Sequence, residues 1–164
     1  MKNMILLAKN FKVFALCSLF LVGLTACKGN GKNEPSTLIS DKEKPSWTAP
    51  VDDYDMSSSM TATVKVDLTI NYPKLIKDAE RSIGENDMLA AFAGNKCIGV
   101  TTPQEGLFFL YITPPAEADA AITLHYYSSI LKNLFVAEET FTFANDTQLG
   151  SYTEPYTPTF VVAQ

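Results

Sequence analysis

The chain of 164 residues contains a single histidine, His125, so any Ser-His-Asp or Cys-His catalytic set would have to use it, and a multi-histidine metal site is excluded. His125 shares the parity of Thr123 and Tyr127, the more polar face of its segment. That position predicts a surface or half-buried imidazole and not a catalytic base. Of the three cysteines, Cys17 and Cys27 lie near the N-terminus, which leaves Cys97 beside Ile98 and Val100. An acidic, apolar setting raises the cost of a thiolate, so Cys97 is expected to be a buried, inert thiol. Asp52-Asp53-Tyr54-Asp55 is the densest oxygen cluster. Asp52, Asp53 and Asp55 form a candidate calcium site, although the glycine and distal glutamate of an EF-hand loop are absent. No cofactor is expected, calcium being the one candidate weighed, and no catalytic carboxylate pair is identifiable by spacing among so many acids. The stronger candidates for binding are the rings of Trp47, Tyr54, Tyr152 and Tyr156. Such polar-tipped rings stack on sugar faces or anchor a protein partner, and Tyr152 and Tyr156, in a Pro-containing stretch, are expected to be the most exposed.

The elements that position these residues begin after an N-terminal address. Lys2, Lys9 and Lys12 form a basic n-region, and Val13 to Leu24 is an uncharged apolar run of twelve residues. That is the length of a secretory h-region and falls short of the roughly 18–20 residues of a spanning helix. Leu24-Thr25-Ala26-Cys27 follows, and then the polar run Lys28-Gly29-Asn30-Gly31-Lys32-Asn33. This arrangement resembles the lipobox of bacterial lipoproteins. The resemblance implies a diacylglyceryl thioether on Cys27 and cleavage just before it, so that residues 1–26 leave as a signal peptide. It also implies membrane attachment through lipid alone, since several acyl chains hold a protein firmly where one is marginal. Lys28 stands where an inner-membrane retention signal would have Asp, which points to an outer membrane. The first acid after Cys27 is Glu34, and periplasmic and surface faces stay open. Cys17 departs with the signal, and a lipidated Cys27 leaves no internal disulfide partner for Cys97.

Residues 27–46 are rich in Lys, Asn, Ser, Gly and Pro, with Leu38 and Ile39 the only large apolar residues. Such a stretch is expected to be a flexible tether. The folded domain is then 47–164, with six basic and fifteen acidic residues, net −9. A surface so acidic repels phosphate backbones, so no nucleic-acid partner is expected, and it repels anionic lipid as well.

Within the domain, Met60 to Asn71 alternates apolar and polar without a break, which predicts a long half-buried strand. Tyr72 to Glu85 fits one or two helical turns or a long loop. Strands at Asp87 to Ala93 and Lys96 to Thr101 flank Gly94-Asn95, a hairpin signal. Leu107 to Thr113 is apolar on both parities, the pattern of a strand at the centre of a sandwich, and Pro114-Pro115 ends it. Ala121 to Ser129, Leu134 to Ala137 with Thr140 to Ala144, and Thr159 to Val162 complete the set. Glu138-Glu139 interrupts the alternation, which indicates a bulge or an edge. About seven strands at such intervals predict an all-β fold, a single antiparallel immunoglobulin-like sandwich, with a small barrel as the alternative.

Several phrases belong together: Trp47-Thr48-Ala49-Pro50; Asp87 with Ala91-Phe92-Ala93-Gly94; Cys97-Ile98-Gly99-Val100; His125-Tyr126-Tyr127-Ser128; and Asp146 with Gly150 and Pro155. Together they resemble a β-sandwich module of Bacteroidetes lipoproteins and secreted multidomain proteins, over nearly all of 47–164. The chain departs from that pattern at Ile98, where arginine is frequent, and at Tyr127-Ser128, which replace an aspartate-containing turn, so no ligand role is carried over to those positions. The resemblance implies an accessory or adhesive unit with no common catalytic site. The expected function is therefore that of a lipid-anchored envelope protein with a non-catalytic domain for recognition or a structural, adhesive role. A glycan-binding accessory lipoprotein of a polysaccharide-uptake system is the alternative, and the partner, protein or glycan, stays open.

Overall fold

The computed structural model describes residues 37–50, 58–76 and 83–164. Among them every regular element is a strand: β1 (Met60–Val64), β2 (Met88–Ala93), β3 (Lys96–Thr101), β4 (Pro103–Gln104), β5 (Leu107–Ile112), β6 (Ala121–Ser128), β7 (Asn133–Thr142), β8 (Thr147–Leu149) and β9 (Phe160–Val162). They form a four-stranded sheet in the order β4-β5-β1-β8 and a five-stranded sheet in the order β3-β2-β6-β7-β9. Only the β1 and β8 pairing is parallel. The fold is thus all-β, with nine strands among the described residues where about seven were expected. The additional ones, β4 and β8, have two and three residues, too few to leave a periodic signal.

One core serves both sheets. Ala62, Val64, Phe108, Leu110 and Ile112 from the first sheet join Leu89, Ala91, Ile98, Ile122, Leu124, Tyr126, Phe135 and Phe160 from the second. Each large side chain so buried contributes about 1.5–3 kcal/mol. The ring of Tyr126 lies at the centre, with its centroid 5.9 Å from Phe108, 5.8 Å from Phe135 and 5.7 Å from Phe160, in the offset and edge-on range that aromatic rings favour. The sheets close on each other at β3, where Thr113 donates its N–H and its hydroxyl to the Ile98 carbonyl. Gly99 permits that approach, since a Cβ there would stand 2.4 Å from the Tyr111 carbonyl oxygen.

Three segments differ from the sequence expectation. The first is the alternating stretch, whose strand stops at Val64 although Val66 and Leu68 stay buried. Asp67 Oδ1 accepts from the N–H and hydroxyl of Thr69, and Tyr72 N–H returns to the Leu68 carbonyl. These local bonds turn the chain, and Ile70 ends half-exposed. Leu75 and Ile76 then donate back to the Tyr72 carbonyl in isolated turns. The second is β5, which alternates after all: Phe108, Leu110 and Ile112 are buried, while Phe109 is 39% exposed. Its sheet is covered by the core on one face only. The third is the expected tether, part of which lies on the domain. Leu38 is a core residue, and Ser40 and Lys42 donate their N–H groups to the carbonyls of Leu131 and Lys132. The carbonyl of Leu38 accepts from Asn133 Nδ2 at 2.8 Å.

Two other expectations correspond to observed geometry. Residues Ala93 and Lys96 pair across Gly94-Asn95, with the positive φ on Gly94. The β6 to β7 register slips where β7 carries Ala137, Glu138 and Glu139, which is the bulge signalled by the acidic pair.

The outer edge of β9 is occupied by side chains from the turn after β1. Asn71 Nδ2 donates to the Phe160 carbonyl at 3.0 Å, and Val162 N–H donates to the Tyr72 hydroxyl at 2.9 Å. A sheet edge covered in this way offers no free ladder to another chain.

Candidate functional site

Tyr152 stands on the loop between β8 and β9 and is 63% exposed, an unusual display for a ring of its size. It borders a cleft of about 530 Å³ lined by Lys65, Val66, Ile83, Glu105, Gly106, Leu107 and Pro155. Local backbone geometry builds this site. Gly106 and Glu105 both take positive φ in the turn from β4 to β5, which brings Glu105 to the rim, where it accepts from the Tyr152 hydroxyl at 3.3 Å. Gly150, at φ 72°, begins the loop. A Cβ there would stand 2.4 Å from Tyr156 N and 2.6 Å from the Thr63 carbonyl, so only glycine lets the loop hug β1. Ser151 and Glu154 close it by mutual hydrogen bonds. Among the described residues the result brings together the apolar side chains of Val66, Ile83, Leu107 and Pro155, one cation, one anion and an exposed ring. That combination binds a ligand through CH–ring stacking and a few hydrogen bonds.

Tyr156, by contrast, is an architectural residue. Its backbone bridges β1 through Tyr156 N–H to the Thr63 carbonyl and Lys65 N–H to the Tyr156 carbonyl. Its ring is half-buried against Phe141 with centroids 6.3 Å apart. Burial, and then the negative charge of Glu139, raise the Tyr156 hydroxyl above its usual value. Burial also pushes the Glu139 carboxyl up, but bonds from the hydroxyl and N–H of Thr159 outweigh this and leave it below the ordinary carboxylate range.

Trp47 is half-buried on the outer face of the five-stranded sheet. It meets Phe92 and His125 edge-on, at 5.8 and 6.3 Å, and Phe92 lies 4.5 Å from His125. Burial lowers the pKa of His125 from its usual value and so favours the neutral imidazole. Cys97 is half-exposed and not buried as expected. Desolvation raises its pKa, and a backbone hydrogen bond with Gly99 offsets this only in part; as a thiol it donates to the Gly99 carbonyl. Strand β2 separates β3 from β6, and Cys97 pairs with Phe92 whereas His125 pairs with Ala90, so the two stand more than two strand spacings, about 9–10 Å, apart. The two groups do not form a dyad.

Sequence reasoning passed over the most constrained polar group, Asp87, which is fully buried. Its carboxylate accepts from the Tyr126 hydroxyl, from the N–H and hydroxyl of Ser129 at 2.6 Å each, and from Gly84 N–H at 2.9 Å. Four donors from two chain segments, the loop at Gly84 and the end of β6, satisfy the charge, and they lock the entry to β2 against the β6 to β7 turn. The Asp-led phrase at 87 was visible in the sequence, but its partners lie up to 42 residues away, beyond any local pattern.

Of the sequence candidates among the described residues, Tyr152 alone borders the cleft. Trp47 belongs to a separate cluster and Tyr156 to the frame behind the loop. Tyr54, Asp52, Asp53, Asp55 and Cys27 lie outside the described residues. Among the described residues no group of three or more His, Cys, Asp or Glu side chains is placed to hold a metal ion, and no helix is long and apolar enough to cross a membrane. Searches against family models, curated proteins and solved structures found no match to this chain.

Proposed function

We propose that this is a lipid-anchored bacterial envelope protein of Bacteroidetes type, attached through Cys27 at an outer membrane, whose β-sandwich recognises a partner without chemical turnover. Its finer architecture in this reading is immunoglobulin-like, which two facing sheets with a shared core support. The observation that carries recognition is the exposed ring of Tyr152 over a cleft with Lys65 and Glu105 at its margin. The groups with catalytic potential support the same side. His125 packs edge-on against Trp47 and beside Phe92, and Cys97, whose thiol form burial favours, stands across strand β2 from it.

A glycan is the second reading of the partner, favoured by the pairing of an exposed aromatic ring with one acid and one base of opposite charge. The test uses the full-length acylated protein in detergent micelles, with binding measured on a polysaccharide panel, and a photo-crosslinker placed at position 152 in cells. A ligand lost by more than tenfold in Tyr152→Ala supports recognition at the cleft. Absence of both a bound glycan and a crosslinked partner overturns it.

A further inference from the structure

We propose that the end of the domain bearing Ile39 and Ile130 rests on the lipid surface to which Cys27 is attached; the proposal depends on the lipid-anchor reading. Ile39 is 69% exposed and Ile130 is 52% exposed, the largest exposures among the large aliphatic side chains of the described residues. They are neighbours, because the bonds from Ser40 N–H to the Leu131 carbonyl and from Lys42 N–H to the Lys132 carbonyl lay residues 39–42 alongside the β6 to β7 turn. The turn is rigid. Asp87 holds Ser129, Ser128 Oγ accepts from Leu131 N–H, and Leu131 packs on the core.

The occupant follows from chain length. Thr37 lies ten residues beyond Cys27, so even a fully extended connection spans at most about 33–36 Å. Ile39, two residues further on, is thus the first exposed large apolar side chain that a chain leaving the bilayer meets. Tethering at so short a range makes docking effectively intramolecular, at roughly millimolar local concentration, so a small apolar contact is enough to be populated.

Charge selects the same end. The domain is strongly acidic, yet this end brings together Lys42, Lys44 and Lys132, half of the six cations among the described residues. They offset all but one of the four acids of the same segment and of the loop beside Ile130, namely Asp41, Glu43, Glu85 and the buried Asp87. An otherwise repelled domain therefore presents its least repelled surface, with two apolar side chains, towards lipid.

The test uses full-length protein reconstituted into vesicles of phosphatidylethanolamine and phosphatidylglycerol, with brominated acyl chains as quencher. Trp47 is the only tryptophan and gives the baseline. Ile130→Trp should add emission that brominated lipid quenches at least twofold, whereas Phe109→Trp, on the exposed side of the other sheet, should add emission that is not quenched. In a second measurement, vesicles should slow amide exchange at 129–132, and Ile39→Asp with Ile130→Asp should abolish the slowing. Equal quenching at both positions, or none at 130, overturns the docking. Intact mass assigns a failure: acylated protein without quenching at 130 refutes docking alone, and protein without acyl chains on Cys27 refutes the anchor and the docking together.

Discussion

The hydroxyl of Tyr126 donates to the carboxylate of Asp87, and both residues are fully buried. A charge without solvent is tolerable only when hydrogen-bonded throughout. Tyr126 therefore joins the aromatic centre of the core to the polar lock at the entry of β2. Removing that hydroxyl in Tyr126→Phe leaves the carboxylate one donor short, at an expected cost of about 1.5–3 kcal/mol. Urea denaturation of the two proteins measures it, and a change below about 0.5 kcal/mol would show that the bond is dispensable.

The same pair sets the alkaline limit. Burial, then the charge and hydrogen bonding of Asp87, hold the Tyr126 hydroxyl far above its usual value of 10.0. A folded-state pKa raised above the unfolded one gives stability that is complete below about pH 10 and lost as pH rises beyond it. Denaturation midpoints should fall only slightly from pH 8 to 9.5, where the raised Cys97 thiol contributes, and more steeply above 10, with a smaller fall above 10 in Tyr126→Phe. Tyr156, also raised, carries part of the residual slope.

His125 sets a limit of the opposite sign. Its folded-state pKa is depressed by burial, so its contribution is present above about pH 6.5 and is lost as pH falls through and below that value. Because it is the only histidine, a single imidazole resonance reports it. The resonance should titrate below 6.5, and His125→Gln should remove the loss of stability between pH 6.5 and 5.5. A midpoint at or above 6.5 would contradict the burial argument.

Packing makes a sharper claim at Gly99. Alanine there would force its Cβ against a backbone oxygen of β5, and a backbone atom yields less readily than a side-chain tip. Gly99→Ala should cost about 1–3 kcal/mol, whereas Gly94→Ala meets no atom within 4 Å and should show only the strain of its positive φ. Thermal unfolding of both variants tests the contrast.

The covered edge of β9 predicts an effect on solubility. Asn71→Ala combined with Tyr72→Phe removes the side-chain groups that occupy the Phe160 carbonyl and the Val162 N–H. The freed ladder should raise concentration-dependent aggregation, measured by light scattering, before it lowers the unfolding midpoint appreciably. Aggregation equal to that of the unaltered chain would assign the two contacts to stability alone.

Where side-chain period and turn chemistry act locally, the sequence was informative. Gly94-Asn95, the bulge at Glu138-Glu139 and the closing strand at Phe160 to Val162 all follow from neighbours within a few residues. Tyr152 was legible as an exposed ring for the same reason. Competing interactions account for the failures. The Asp67 turn overrides a continuous alternation that would have carried β1 to Asn71, and Leu38 finds a core site that the composition of its neighbours conceals. Asp87 needed partners from the distant end of β6, so no spacing rule exposed it. Tyr156 looked like Tyr152 by composition, and only the return of the chain along β1 separates the bridging residue from the displayed one.

The most direct test of the lipid-anchored reading is the intact mass and N-terminal fragment of the protein purified from membranes. The account predicts a chain beginning at Cys27 that carries acyl chains there, and a Cys27→Ala form that is neither cut at that bond nor labelled by palmitate. A mature chain that begins elsewhere, or an unacylated Cys27 in membrane-bound protein, would contradict it.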